Sequence, residues 1–218
     1  MKRVIQGALA LASAMPFAIS AQQMKDPDKK VMDGGVKVSG WEARLDKADA
    51  KVGELKFVSM GPGFHVTSGP AAIYFNPANA AKGNYTVKAS LTQTKAPTHR
   101  EAYGVFIGGD DLKGDKQSYL YVVIAGTGEY TIKHRAGSQT HTVVDWTASP
   151  ALKKADEAGK ATNEIAVEVG SDVRVLLNGT EVFKQAKDKV MGSMDGIVGL
   201  RVNHNLDVHV GNFSVTKM

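Results

Sequence analysis

The residues best suited to chemistry in this chain are aromatic, cationic and amide side chains on short β-like runs. Side chains alternate between the two faces of a strand, so residues two apart share a face. If Leu120, Val122 and Ile124 point into a core, Tyr119 and Tyr121 point away from it. Aromatic rings, guanidinium donors and amides suit the stacking surfaces and paired hydrogen bonds that sugar hydroxyls require. The candidate ligand-binding residues chosen in this way are Tyr103, Tyr119, Tyr121, Lys133, Arg135, Arg201 and Asn203.

Acid–base chemistry has weaker candidates. His99 and Glu101 alternate with Tyr103 on one predicted face and are the first catalytic candidates. Glu164 and Glu168 also share a face, but side chains four apart on a strand are separated by about 13 Å. Retaining glycosidases hold their two carboxyl groups about 5 to 5.5 Å apart. We therefore interpret Glu164 and Glu168 as solvent-facing residues of a strand.

The loop spanning 108–115 is the candidate metal site. It contains Asp110, Asp111 and Asp115, and hard cations such as calcium take several oxygen ligands. Lys113 and Lys116 offset much of that negative charge, so an ordinary hairpin end is the alternative. The six histidines show neither a helical i, i+4 pair nor an HExxH motif and are interpreted as structural. We expect no cofactor, with calcium as the open alternative.

Short runs rich in β-branched and aromatic residues are the elements that must position these side chains. Several such runs, separated by Gly, Asn, Asp and Pro, predict a sandwich or barrel. Ile165, Val167 and Val169 alternate with polar or small residues, which predicts one buried face. Asn178-Gly179 suits a type I′ turn between two antiparallel strands. The predicted fold class is therefore all-β, a two-sheet antiparallel β-sandwich of the jelly-roll type.

One short surface helix is also predicted. Ser149 suits the N-cap, Pro150 the first turn and Gly159 the position just past the end, with 151–158 as the body. This helix would cross the surface between two strands.

The first residues have the order of a secretory signal. Lys2 and Arg3 precede an apolar, small-residue stretch from Val4 to Ile19, and small residues follow at Ser20 and Ala21. We expect a signal peptide over 1–21, a flexible lead-in over 22–35 and one β-sandwich domain over 36–218. The expected location is the bacterial periplasm or the exterior, with no membrane span after cleavage.

Composition excludes several classes of protein. The chain contains no cysteine, so neither a disulfide nor a catalytic thiolate is available. Its formal net charge of +5 is spread along the sequence. Nucleic-acid binding would require a clustered basic stripe with interleaved aromatic residues. We therefore expect no nucleic-acid partner, and the sequence leaves the oligomeric state open.

Three stretches together resemble a known superfamily. They are 103–109, 163–182 through the Asn178-Gly179 turn, and 195–201 with the closing run 210–215. Their strand pattern is similar to that of concanavalin A-like lectin/glucanase sandwiches, and within them to laminin-G-like and 3-keto-disaccharide hydrolase-like domains. The resemblance implies a jelly roll of two curved sheets, often with glycan or protein ligands on the concave face or at the loop rim.

Three hypotheses for function stay open at this stage. The leading one is an exported envelope protein that binds a carbohydrate or another polymer without catalysis. The second is a glycoside-processing enzyme of the 3-keto-disaccharide hydrolase type that uses His99 and Glu101. The third is a structural or protein-interaction domain with no small ligand. The alternative to the binding face is that Tyr119 and Tyr121 belong to the core and the charged residues only keep one sheet solvated.

Overall fold

A computed structural model describes residues 26–218, in which fifteen strands and two single-turn 3₁₀ helices occur. The predicted signal peptide and the first residues of the predicted lead-in lie outside the described residues. The strands are β1 (Gly35–Val36), β2 (Glu42–Leu45), β3 (Leu55–Met60), β4 (Gly63–Ser68), β5 (Ala72–Ala81), β6 (Tyr85–Gln93), β7 (Ala102–Asp110), β8 (Ser118–Ala125), β9 (Glu129–Ala136), β10 (Gln139–Ala148), β11 (Ala161–Val169), β12 (Asp172–Leu177), β13 (Thr180–Ala186), β14 (Gly196–Val202) and β15 (Asp207–Lys217). The 3₁₀ helices are Val52–Glu54 and Lys187–Lys189.

The strands form two sheets. Sheet A has the order β1-β3-β4-β15-β6-β11-β12-β13, and sheet B has the order β10-β9-β8-β7-β14-β5-β2. All neighbours pair antiparallel except β1 with β3. The predicted all-β sandwich is therefore confirmed. In the described part of the chain, no helix is long and apolar enough to cross a membrane.

The core lies between the sheets and follows the alternation of apolar residues. Ile165, Val167 and Val169 are fully buried in it, as the sequence pattern predicts. The turn after β12 also forms as predicted, because Asn178 and Gly179 both take positive φ angles, of 48° and 83°. Those two positions hold β12 and β13 in a tight antiparallel hairpin.

The predicted surface helix after β10 is wrong. At the start of the segment a single turn forms, in which the Leu152 N–H donates to the Ser149 carbonyl at 3.1 Å. Tertiary partners take the backbone groups that a helix would use. The Asn163 side chain bonds both the N–H and the carbonyl of Lys153, and the Ala155 N–H donates to the Gly126 carbonyl. Because these backbone groups already have hydrogen-bond partners, the segment does not form the hydrogen bonds of a helix.

Residues 26–29, the first described part of the predicted lead-in, are tied to one end of the sandwich. The Lys29 ammonium lies 2.6 Å from the Asp207 carboxylate, and the Lys29 N–H donates to the Asn205 side chain at 2.6 Å. Asp28 accepts from Lys47 at 2.7 Å. The flexibility expected for residues 22–35 stays a prediction.

Candidate functional site

The outward face of sheet B, on the side away from the core, gathers most of the predicted ligand-binding residues. Tyr121 on β8 lies directly opposite Lys133 on β9, and Tyr119 lies directly opposite Arg135. Directly paired residues of neighbouring strands project to the same side of a sheet. Tyr121, Lys133 and Arg135 are each partly exposed. We call Tyr121, Lys133, Arg135 and Arg201, with the side chains around them, the outward face of sheet B.

Arg201 on β14 is the anchored cation of this face. Its two terminal nitrogens donate to the two carboxylate oxygens of Asp46, each at 2.5 Å. Its guanidinium lies 5.7 Å from the ring centroid of Tyr121, and its side chain is only 9% exposed. A forked pair of this kind fixes the orientation of both groups. Arg201 therefore stands ready beside Tyr121 without further ordering.

In this pair, each charged group stabilises the ionised form of the other. Burial alone would raise the pKa of Asp46, but the neighbouring Arg201 outweighs burial and holds that pKa below its ordinary value. Burial alone would lower the pKa of Arg201, and Asp46 reverses that effect as well. Both groups are therefore ionised at neutral pH.

Tyr119 shares the outward face but does not offer an open ring. It is 2% exposed and belongs to a buried cluster with Phe75, Phe106 and Leu112. Leu112 comes from the loop after β7, which Arg44 holds by donating to the carbonyls of Leu112 and Gly114. The prediction that Tyr119 contacts a ligand is therefore wrong, because its ring is buried in this cluster.

The prediction that Tyr103 lies on the ligand-binding face is also wrong. It lies on β7 with no exposed surface, inside the core between the two sheets. Alternation places Tyr103, Val105 and Ile107 on the inner side and Phe106 on the outer side. The sequence pattern gave no indication of which side faced the second sheet.

Asn203 and Glu101 connect Arg201, on the outward face of sheet B, to the end of the sandwich through hydrogen bonds. Asn203 accepts a hydrogen bond of 3.3 Å from Arg201 Nε. Asn203 also hydrogen-bonds Glu101, which lies just before β7. Burial raises the pKa of Glu101, although its contact with His204 opposes that shift.

His204 is the partner of Glu101 that sequence reasoning missed. His204 Nε2 lies 2.6 Å from Glu101 Oε1, and His204 Nδ1 lies 3.1 Å from Asp28 Oδ1. Both ring nitrogens of His204 therefore face carboxylates. The sequence carries no signal for this contact, because it depends on the pairing of Val202 with Tyr103, which brings the residues following β14 next to those preceding β7.

His99 and Glu101 do line one cavity, as their common predicted face suggested. This cavity of about 300 Å³ lies at the end of the sandwich and is also lined by Ala125, Gly126 and Ala155. His99 is exposed, whereas the Glu101 side chain is only 11% exposed and is held by His204. The arrangement presents a fixed carboxyl group beside a mostly apolar cavity.

The predicted calcium loop is folded on itself. The Asp111 carboxylate accepts the Lys116 N–H at 3.0 Å, and the Lys113 ammonium pairs with Glu42. Asp110 and Asp115 are exposed at the same loop. Within residues 26–218, no group of three or more His, Cys, Asp or Glu side chains is arranged to hold a metal ion. Calcium binding at this loop stays a prediction.

Comparison with known proteins identifies the fold. No protein-family model matches the sequence, and no curated protein matches it. Among solved structures, a carbohydrate binding module, CBM66, from Bacillus subtilis aligns with a TM-score of 0.60 at 10% identity, covering 87% of this chain and all of that one. A Bacillus subtilis protein of unknown function with a galectin-like fold aligns with a TM-score of 0.60 at 11% identity, covering 81% of this chain and 89% of that one. The chain shares the β-sandwich fold of these two proteins, in agreement with the jelly roll that the resemblance implied.

Proposed function

We propose that this protein binds a carbohydrate through the outward face of sheet B. The observation that carries the proposal is the position of Tyr121, which is partly exposed, directly opposite Lys133 and beneath the anchored Arg201. A partly exposed aromatic ring beside a cation that has no carboxylate partner in the described part of the chain matches a sugar ring, whose C–H face stacks and whose hydroxyls accept hydrogen bonds.

The surrounding strands supply further polar contacts for a ligand. Thr142 on β10 lies directly opposite Lys133, and Thr140 lies directly opposite Arg135; both threonines are exposed. Their hydroxyls can donate and accept, as sugar hydroxyls require. A polysaccharide lying across β8, β9 and β10 would meet Tyr121, then the cations, then the threonines.

Anchoring of Arg201 favours binding because its rotamers are fixed before a ligand arrives. Ordering a long side chain on binding costs roughly 0.5–1.5 kcal/mol. Asp46 removes much of that cost for Arg201, since both carboxylate oxygens already hold the guanidinium. The structural likeness to a carbohydrate binding module supports the same ligand class, although the likeness itself concerns only the fold.

A direct test is a glycan array followed by calorimetry on the polysaccharide that binds best. We expect Tyr121→Ala to lower affinity about ten- to hundredfold, the range for loss of an aromatic contact at the centre of a site. Lys133→Ala should lower affinity less. Lys184→Ala removes a more exposed lysine from sheet A and serves as the control. Unchanged binding in Tyr121→Ala would refute the assignment of this face.

We further propose that the protein is exported to the bacterial periplasm or beyond. The support is the order of the first residues, with Lys2 and Arg3 before an apolar stretch and small residues at Ser20 and Ala21. N-terminal sequencing of the protein recovered from the periplasmic fraction should start near Gln22. Recovery in the cytoplasm with Met1 intact would contradict export.

A further inference from the structure

Two histidines face each other across the hairpin formed by β9 and β10. Ala136 pairs with Gln139, so the chain reverses through two residues, and the register places His134 directly opposite His141. Their ring centroids are 6.0 Å apart, with the ring planes inclined by 39°. Because β10 is the edge strand of sheet B, the His141 ring is exposed at the side of the sandwich.

The neighbouring strand fixes the ring of His134. Ser118 Oγ on β8 lies 3.0 Å from His134 Nε2. When this hydroxyl accepts the Nε2–H, the other nitrogen of the ring keeps its lone pair. Histidines that bind metals have this second hydrogen bond, which sets the tautomer and the orientation of the ring. The hydrogen bond to Ser118 therefore favours a His134 ring whose other nitrogen has an available lone pair.

The separation of the two rings is compatible with one shared ion. Imidazole nitrogens bind metals at about 2.0–2.1 Å, so two rings on one ion have centroids up to about 6 Å apart. The observed 6.0 Å lies at the upper end of that range.

A second cross-strand pair shows which features matter. His65 and His209 are also directly opposite each other, on β4 and β15 of sheet A. The Nδ1 atoms of both are buried without a hydrogen-bond partner among the described residues, and the Asp207 carboxylate, 4.0 Å from His65 Nε2, is already paired with the Lys29 ammonium at 2.6 Å. Buried nitrogens are not open to an ion from solvent, whereas the His141 ring is exposed.

We propose that His134 and His141 form a binding site for a divalent transition-metal ion. Imidazole ligands suit Cu²⁺, Zn²⁺ and Ni²⁺, and Cu²⁺ is bound most tightly in the general order of stability. With two protein ligands, the remaining coordination positions are filled by water, and the affinity is modest. The site is on the inner-side row of β9 and does not depend on carbohydrate binding by the outward face.

The test is calorimetric titration of the untagged full-length chain with Cu²⁺ and, separately, Zn²⁺. We expect one ion per chain and tighter binding of Cu²⁺, with nitrogen coupling from two imidazoles in the electron paramagnetic resonance spectrum. His141→Ala, at an exposed position that folding tolerates, should abolish this binding. His209→Ala is the matched control and should leave it unchanged.

Further variants separate coordination from structure. Ser118→Ala should weaken Cu²⁺ binding about tenfold, the lower end of the effect of losing a hydrogen bond to a ligating histidine. Tyr121→Ala should leave metal binding unchanged, so failure of the carbohydrate proposal and failure of this one are distinguishable. No saturable binding, equal affinity in His141→Ala, or loss of binding in His209→Ala would each overturn the proposal.

Discussion

The outward faces of the two sheets differ in how their charges are arranged. On sheet A, acidic and basic side chains pair with one another across β6, β11, β12 and β13. Lys88 meets Glu164 at 2.9 Å, and Arg174 meets Glu168 at 2.6 Å. On sheet B, no carboxylate of the described residues lies within ion-pair distance of Lys133 or Arg135, which flank tyrosine instead.

This difference indicates which face is available to a ligand. Charges already paired in water have little to gain from a new partner, because exposed ion pairs contribute little and are screened by salt. Aromatic surface beside cations without carboxylate partners gains more when a ligand covers it. Both faces follow from the same alternation along strands, and only the side chains on them differ.

Breaking the Arg201–Asp46 pair is expected to have the largest effect. Arg201→Leu leaves the Asp46 carboxylate partly buried without its partner, which should lower the free energy of unfolding by about 2–4 kcal/mol. Urea denaturation measures this change. Arg174→Leu on sheet A removes an exposed arginine that also bridges two carboxylates and should change stability far less. Equal effects of the two substitutions would contradict the contrast between the faces.

Removing the apolar cover of sheet B should have the next largest effect. Leu112→Ala empties a position that is 4% exposed and should cost about 2–3 kcal/mol, as for other buried leucines. Leu176→Ala, at a partly exposed position of β12, should cost less. Thermal unfolding compares the two. A larger loss for Leu176→Ala would show that the loop after β7 does not pack on the outward face of sheet B in solution.

Acid should weaken the Arg201–Asp46 pair in a defined direction. The pKa of Asp46 is lower in the folded protein than its ordinary value of 3.8. The contribution of the ionised pair to the free energy of unfolding is therefore complete above about pH 3.8. The contribution is lost as pH falls through the lower folded pKa, because the unfolded chain binds the proton more readily. Urea denaturation between about pH 5 and 2 should therefore show a steeper loss of stability in the wild type than in Arg201→Leu. Parallel curves would contradict this assignment.

The smallest effect is expected on sheet A. Lys88→Ala should leave both stability and carbohydrate affinity nearly unchanged, because Lys88 pairs with Glu164 on an exposed face. Calorimetry and urea denaturation of the same variant measure both quantities. A large fall in affinity would move the binding site to sheet A.

Local patterns in the sequence were sufficient for much of the fold. Apolar alternation along 165–169 and the Asn178-Gly179 turn predicted a buried strand and a tight hairpin, and both are present. The same rule grouped Tyr121 with Lys133 and Arg135, which do share a face. The helix expected from Ser149 failed because Asn163 and Gly126 bind the backbone of that segment, and neither is near it in sequence.

Contacts between distant segments could not be obtained in this way. Alternation divides a strand into two rows, but it does not state which row meets the other sheet, so Tyr103 was assigned to the wrong side. The burial of Tyr119 could not be predicted either, because Leu112 joins its apolar cluster only when the loop beyond β7 folds back. The contact between Glu101 and His204 forms only because β14 and β7 are neighbours in sheet B.

The sequence by itself determined the period-two pattern, the tight turn at Asn178 and a core without disulfides, because these depend on neighbouring residues and on composition. Only the tertiary structure decided which residues stand opposite one another. His134 opposes His141, and Arg201 meets Asp46, because strand register and loop path bring them together. Register is set by the packing of whole sheets, and therefore no local stretch of sequence contains it.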